Sequence, residues 1–251
     1  MPSQAVTQES ARSAFIEEHC YWNEELDALA LADPRYLDAY DQLLRVVARR
    51  GSLSARHREL ICVAVNAQVT YLNPVHTRHH LAQARHLGAT EAEVVETLQL
   101  AASLGVHSML VGLPLAHEVF EELGVATDVA AGEGVDARRR ELKDAFIRER
   151  KYWSPGWDTV LAYSPEYFEA YLGLSRIPWV DGVLDEWFKE LVYVAIDVVT
   201  THLFTAGIRT HVAKAIEYGA TPDQVVDVIT IASNIGVHST LMGVGQMATP
   251  G

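Results

Sequence analysis

The second half of this 251-residue chain carries five side chains suited to proton transfer and to binding an acid. Histidine exchanges protons near neutral pH, and a neighbouring glutamate can orient or recharge it. Arginine can hold a carboxylate through two parallel hydrogen bonds. The candidate catalytic residues are therefore His202, His211, Glu190 and His238, with Arg209 as a candidate substrate-binding residue.

Helical geometry limits how these groups can share one pocket. Arg209 and His211 are two residues apart, about 200° around a regular helix, so both cannot face one pocket unless the helix begins between them. We place His211 in the site and Arg209 near the helix mouth or at a subunit interface. Structural roles stay open too: His107 and His238 could be buried histidines bonded to a backbone carbonyl, and Glu190 could be an ion-pair partner.

The first half of the chain offers a related but different set of groups. Its candidates for substrate binding are Tyr71, His76, His80, His107 and Glu59. His76 and His80 are one helical turn apart on one face, which is the spacing of a two-histidine metal site that Glu59 or His107 could complete. The main prediction is that no cofactor is needed, and a divalent metal at His76 and His80 is the alternative.

These groups stand in two copies of one unit, related by a constant offset of 131 residues (190 − 59 = 131). Roughly a third of the aligned positions are identical, far beyond chance for one fixed register. Residues 88–90 (Gly-Ala-Thr) recur as 219–221, and 105–108 (Gly-Val-His-Ser) recur as 236–239. We predict a first helical repeat over 1–123, a linker of small and polar residues over 124–137, and a second helical repeat over 138–251.

The pattern within each unit predicts helices. Apolar residues between Pro34 and Arg50 recur at helical spacing, and Gly51 ends that helix. Asn73, followed by a proline, supplies the cap for the helix that carries the first-half histidines. Thr90 opens a capping box. Since no well-bounded alternating segment is present, the predicted fold class is all-α.

Composition narrows the possible partners. The net charge of −13 would repel phosphate backbones, so nucleic acid is excluded as a partner. Cys20 and Cys62 lie far apart, which argues against a dithiol centre. The chain start has no signal-peptide pattern, and no uninterrupted apolar run approaches the roughly 18 residues of a membrane helix. We expect a soluble cytoplasmic protein that binds a small molecule, with no membrane partner.

The order of motifs in each half resembles the carboxymuconolactone decarboxylase family, which includes the alkylhydroperoxidase D type peroxidases. The most specific element is the pattern His-x-x-x-Ala-x-x-x-Gly-Ala-Thr, at residues 80–90 and 211–221. The resemblance covers residues 53–117 and 184–248, and the N-terminal half of each unit lies outside it. It implies an all-helical fold that builds its core and active sites by oligomerising, so we expect a homo-oligomer.

The redox cysteines of the peroxidase branch are missing. In that branch a Cys-x-x-Cys pair lies seven and four residues before the helix histidine. The corresponding residues here are Asn73 and His76 in the first unit, and Phe204 and Gly207 in the second. Disulfide exchange needs two thiols, so a peroxidase is disfavoured. The second unit keeps the family pattern better, since Tyr71 stands where the second unit has His202, and it is the predicted catalytic unit.

Three functions follow from these observations. The first is a cofactor-free lyase of decarboxylase type, or an isomerase, that acts on a small carboxylated or lactone substrate by acid–base chemistry of histidine and glutamate. The second is a metal-dependent hydrolase or lyase that uses the face of His76 and His80. The third is a non-catalytic, oligomeric ligand-binding protein.

Overall fold

A computed structural model describes residues 7–19, 21–127 and 137–248, and every regular element within these ranges is helical. The prediction of an all-α fold built from a tandem repeat is confirmed. The helices of the first repeat are α1 (Gln8–His19), α2 (Glu24–Ala32), α3 (Pro34–Arg50), α4 (Ala55–Ala67), α5 (Pro74–His86), α6 (Glu91–Ala102) and α7 (His107–Glu122).

The second repeat follows the same order, with one additional break. Its helices are α8 (Ala137–Arg150), α9 (Gly156–Tyr163), α10 (Pro165–Ser175), α11 (Ile177–Val180), α12 (Glu186–Val198), α13 (Thr205–Glu217), α14 (Pro222–Ser233) and α15 (His238–Ala248). The break contains Pro178, which has no N–H to donate. The equivalent position of the first repeat lies inside α3, which continues without interruption. The predicted linker begins after α7, its last residue is the first of α8, and residues 128–136 of it lie outside the described ranges.

The predicted helix ends are observed. Gly51 ends α3 in a left-handed conformation with φ of 70°. The Asn73 side chain accepts a hydrogen bond from the His76 amide at the start of α5. Thr90 and Glu93 form a full capping box on α6. A short 3₁₀ turn with a glycine separates α6 from α7, and another separates α14 from α15.

Three apolar clusters hold the chain together. The central cluster combines α4 and α6 of the first repeat with α12 and α14 of the second, so both repeats share one core. Two smaller clusters lie on either side. One unites α1–α3 with Leu241 of α15, and the other unites α8–α10 with Val106 and the residues of α7 that follow it. The last helix of each repeat therefore packs on the first helices of the other repeat.

A pseudo-two-fold axis relates the repeats. The hydroxyls of Thr70 and Thr201, which are equivalent positions, lie 3.0 Å apart across it. A buried acid on each side binds the other repeat. Glu96 pairs with Lys189 at 3.0 Å and accepts the Leu184 amide at 2.9 Å, and Asp227, its equivalent, pairs with Arg50 and Ser52. These crossed contacts fix the helices that carry the site residues.

Two helical segments, 91–122 and 222–248, are long and apolar enough to cross a membrane by length and composition alone. Each is a pair of helices joined by its 3₁₀ turn rather than a single uninterrupted run. Parts of both segments are buried inside the protein, and core helices of soluble proteins pass the same test of length and composition. They are weak evidence for a membrane, and a cytoplasmic location stays a prediction.

Candidate active site

Each repeat places a glutamate on its fourth long helix opposite a histidine on the next one. Glu190 on α12 is fully buried and lies 2.6 Å from Nδ1 of His211 on α13. Glu59 on α4 lies 2.8 Å from Nδ1 of His80 on α5. A carboxylate at Nδ1 fixes the ring orientation and leaves Nε2 for a substrate. We name the region around Glu190 and His211 the second site, and the region around Glu59 and His80 the first site.

The second site is completed by a histidine of the first repeat. Nδ1 of His107, at the start of α7, lies 2.7 Å from Nε2 of His202 and 3.8 Å from Oδ1 of Asp197. Burial, together with the neighbouring His202 and His211, lowers the pKa of His107 to about 3. The pKa of His202 is also lowered by burial. At neutral pH both rings are uncharged, so one can donate to the other.

Asp197 is the second buried acid of the second site, with 1% of its surface exposed. Burial raises the pKa of its carboxyl to about 7, against the lowering effect of His211. Oδ2 of Asp197 and Oε1 of Glu190 are buried without a hydrogen-bond partner among the described residues. Unpaired buried oxygens are unusual, because buried polar atoms are nearly always bonded. Asp197 lines the cavity, so its oxygen is an acceptor, or a donor when protonated, available to a bound molecule.

Aromatic side chains and one arginine form the rest of the second cavity, whose volume is about 40 Å³. Its walls include Phe146, Trp157, Tyr171 and Phe204, and Arg150 lies among them with only 5% of its surface exposed. Sequence analysis missed Arg150. It lies in the N-terminal half of the unit, and its equivalent His19 gives no hint of a shared role.

Arg209, the predicted substrate-binding residue, does not reach this cavity. It is exposed on α13, and the described cavity walls contain His211 but not Arg209. The helix begins at Thr205, four residues before Arg209, so the two side chains point to different sides as their spacing predicted.

His238 was expected with the second-repeat residues, and the structure corrects this grouping. It lies in the first site, where its Nδ1 is 2.7 Å from the hydroxyl of Tyr71 and its ring stacks on His76 at 3.8 Å. His107 was expected with the first-repeat residues and lies in the second site. The cause is the crossing of the last helices, α7 and α15, onto the opposite repeat, which a constant offset in sequence does not reveal.

The first site has a wider cavity of about 270 Å³. Its wall contains Glu59, His80 and His238, together with His79, which stacks on Tyr21 at 3.6 Å. Burial, together with neighbouring histidines, lowers the pKa values of His238 and His79 to about 3. His76 lies behind this wall, with its pKa lowered to about 4 by burial and then by His80.

Two groups of side chains could hold a metal ion. Ligand atoms of Glu59, His79 and His80 lie within 4.8 Å of one another, as do those of His107, Asp197 and His202. The predicted pair, His76 with His80, has ring centroids 6.4 Å apart, and His76 belongs to neither group. A metal at the first site would therefore take His79 in place of His76. Nitrogen and carboxylate donors of this kind suit zinc or iron.

The positions of the missing cysteine pair have other uses in this chain. Asn73 caps α5 and donates its side-chain amide to the Tyr71 hydroxyl at 3.1 Å. Gly207 is required where it is, because a Cβ there would collide with Oδ2 of Asp197 and the ring of Phe204. Burial raises the pKa of Cys62 well above its ordinary value, so its thiol is a poor nucleophile.

Comparisons with known proteins match both repeats. The sequence model of the Carboxymuconolactone decarboxylase family matches residues 34–118 and 165–236, together more than half of the chain. A solved structure from Burkholderia xenovorans, provisionally named a gamma-carboxymuconolactone decarboxylase subunit, is 34% identical with a TM-score of 0.90. The match covers 96% of this chain and 95% of that one.

A shorter match is found with a curated protein. "Uncharacterized protein 4 in cox locus" from Paracoccus denitrificans is 36% identical over 67 residues, which is 27% of this chain. The matched segment spans 59% of that relative, less than two thirds of its length.

Proposed function

The chain belongs to the carboxymuconolactone decarboxylase family, and from that premise we propose that it is a cofactor-free lyase of decarboxylase type, or an isomerase. Its substrate is a small carboxylated or lactone compound, and the second site carries the reaction. The observation that supports this most is the buried Glu190–His211 pair, whose Nδ1–Oε2 distance is 2.6 Å and whose histidine lies in the wall of a cavity.

In the proposed decarboxylation the bond between the leaving carboxyl carbon and its neighbour breaks. The electron pair moves into the conjugated carbonyl, giving CO2 and an enolate. His211, as the imidazolium held by Glu190, donates its Nε2 proton to the enolate carbon, and solvent returns a proton to the ring. Protonated Asp197 can donate a hydrogen bond to the enolate oxygen, because its raised pKa keeps part of it neutral at pH 7. Isomerisation would use the same groups to remove and return one proton.

Replacement of His211 by glutamine tests this proposal. Turnover of gamma-carboxymuconolactone and of a panel of β-keto acids would be followed by CO2 release and by loss of enone absorbance. His80→Gln, the same change at the equivalent position, is the matched control. Loss of turnover in His211→Gln alone supports the assignment. Wild-type turnover in a folded His211→Gln protein would overturn it.

A metal-dependent hydrolase or lyase is the second candidate, favoured by the grouping of Glu59, His79 and His80. Elemental analysis of the purified protein, repeated on His79→Gln, distinguishes it. One equivalent of zinc or iron that disappears with His79→Gln would move the chemistry to the first site. A protein that binds small carboxylates and converts none of them would instead be the ligand-binding protein.

We further propose that the protein is a homo-oligomer. The similar Burkholderia structure is described as a subunit, and a regular apolar stripe is exposed on α7 by Val111, Leu115 and Val119 and continued by Leu123 directly after it. Residues four apart share one helix face, so this stripe is continuous. Native mass spectrometry gives the number of subunits, and a monomer at micromolar concentration would exclude the proposal.

A further inference from the structure

Arg150 is a buried cation at the edge of the second cavity. It ends α8 and is 5% exposed, and its guanidinium carbon lies 4.6 Å from the ring centroid of Trp179 and 5.3 Å from that of Tyr193. Aromatic faces of this kind stabilise the flat surface of a guanidinium. They do not satisfy its N–H groups, which lie in the plane of the group and point along its edge.

Those N–H groups lack an adequate partner among the described residues. No carboxylate of the described ranges lies within 4.0 Å of Arg150, and its Nε is buried without a hydrogen bond. Its one hydrogen bond, from Nη1 to the carbonyl of Ser175, is 3.5 Å long. Buried charges are ordinarily paired, because an unpaired one loses its hydration without compensation. An unpaired guanidinium that lines a cavity is therefore suited to an anion from outside the protein.

We propose that Arg150 binds a carboxylate of the substrate in the second site, which deepens the proposed function and rests on it. The planar guanidinium of Arg150 would bind the carboxylate through two parallel hydrogen bonds. The aromatic walls formed by Trp157, Tyr171 and Phe204 would cover the flat, unsaturated part of the substrate. The small volume of the cavity limits that part to a few atoms, with any larger part at the mouth.

The chemistry restricts which carboxylate this is. A fixed cation stabilises a carboxylate that keeps its charge, and it would oppose the conversion of that group to neutral CO2. Arg150 therefore holds a carboxylate that survives the reaction. A substrate that is decarboxylated here carries a second acid group, and a substrate that is isomerised needs only one.

The first site has no arginine at the position equivalent to Arg150. The residue equivalent to Arg150 is His19, whose Nε2 lies 2.8 Å from the carboxylate of Asp41 in the same repeat. Burial lowers the pKa of His19, so the ring is largely uncharged at neutral pH. The buried, unpaired cation of the second site therefore has no counterpart at the equivalent position of the first, although both sites share the glutamate–histidine pair. Arg58, which lies in the wall of the first cavity, donates instead to the Leu53 carbonyl at 3.0 Å.

Binding of crotonate, a small planar carboxylate, tests the proposal against crotonamide, its uncharged isostere. Ligand-observed NMR titrations would use the wild type, Arg150→Gln and Arg150→Lys, with Arg209→Gln as the control for an exposed arginine. We expect Arg150→Gln to weaken crotonate binding by at least about tenfold, since a charged hydrogen-bonded pair is lost, and to leave crotonamide binding unchanged. Arg150→Lys should retain part of the affinity, and Arg209→Gln all of it.

Circular dichroism establishes whether the variants are folded. If Arg150→Gln unfolds, Arg150→Lys decides: crotonate affinity equal to that of the wild type, without the fork geometry, contradicts the proposal. Equal affinity for crotonate and crotonamide in the wild type, or unchanged crotonate binding in folded Arg150→Gln, also overturns it.

The same titrations separate this proposal from the lyase itself. Crotonate bound through Arg150 in a protein that turns over no carboxylate would retain the anion site and remove the proposed reaction. Turnover that depends on His211 but is unaffected by Arg150→Gln, in kcat and in KM, would do the reverse.

Discussion

The first and second sites share one framework and differ in the groups attached to it. Both keep a glutamate–histidine pair and a histidine from the opposite repeat. The second site adds the acid Asp197 and the cation Arg150, where the first has the neutral Asn66 and a histidine already paired with Asp41. Under the proposed function, the shared pair supplies proton transfer, whereas the unshared residues decide what each site can bind.

The largest expected effect comes from the shared pair. His211→Gln should lower turnover by at least about 100-fold, because general acid–base catalysis contributes 10² or more. His80→Gln should change it less than twofold if the second site alone is catalytic. Steady-state kinetics on both variants measure this difference. Equal losses would mean that both sites turn over the same substrate, which would contradict a functional difference between them.

Gly207→Ala should damage the second site by overpacking. Its added Cβ would meet Asp197 and Phe204, so we expect about 1–3 kcal/mol of destabilisation together with loss of activity. Gly173→Ala on α10 is the matched control, since a Cβ there meets nothing within 4 Å. Urea denaturation of both variants gives the free energy of unfolding. Full stability and activity in Gly207→Ala would contradict the close contact.

His107 and His238 each lie in the site of the opposite repeat, so substitutions of them should affect the opposite site. His107→Gln, a change in the first repeat, should reduce turnover at the second site by about tenfold through loss of the hydrogen bond to His202. His238→Gln, a change in the second repeat, should leave that turnover intact. The opposite result in kcat/KM would place the histidines as the sequence alone suggested.

The smallest expected effect is on stability in acid. The pKa of His238 is about 3 in the folded protein, well below its ordinary value of 6.5, so the unfolded chain takes up a proton first as pH falls. Stability that is full above pH 6.5 should therefore decrease below it, by about 1 kcal/mol for this residue between pH 7.5 and 5.5. His238→Gln should flatten the dependence. Urea midpoints at both pH values check this, and an identical slope in the variant would exclude His238 as the cause.

The helices could be predicted from the sequence because their signals are local. Gly51, Asn73 and Thr90 act on the backbone within one turn, so residue type and spacing are enough to place the helix ends. The glutamate–histidine pairs could also be predicted, since both members of each pair belong to one repeat and to the segment that resembles the family.

The membership of each site could not be predicted in the same way. The offset of 131 residues states which positions correspond, but not on which repeat the last helix packs. That choice depends on long-range burial, such as Leu241 against α1–α3, and it moved His107 and His238 to opposite sites. Arg150 was not predicted, because its proposed role in anion binding rests on its lack of a partner, which only three-dimensional contacts reveal.

The crossing of α7 and α15 has a consequence for how such a protein can change over time. In an assembly of two identical chains with this architecture, every substitution would alter both pockets together. Here one peptide chain supplies both halves, so Asn66 and Asp197, or Tyr71 and His202, can differ while each pocket still receives the histidine it needs from the other half. Covalent joining thus frees two formerly identical pockets to specialise, and mutual dependence prevents either half from being lost.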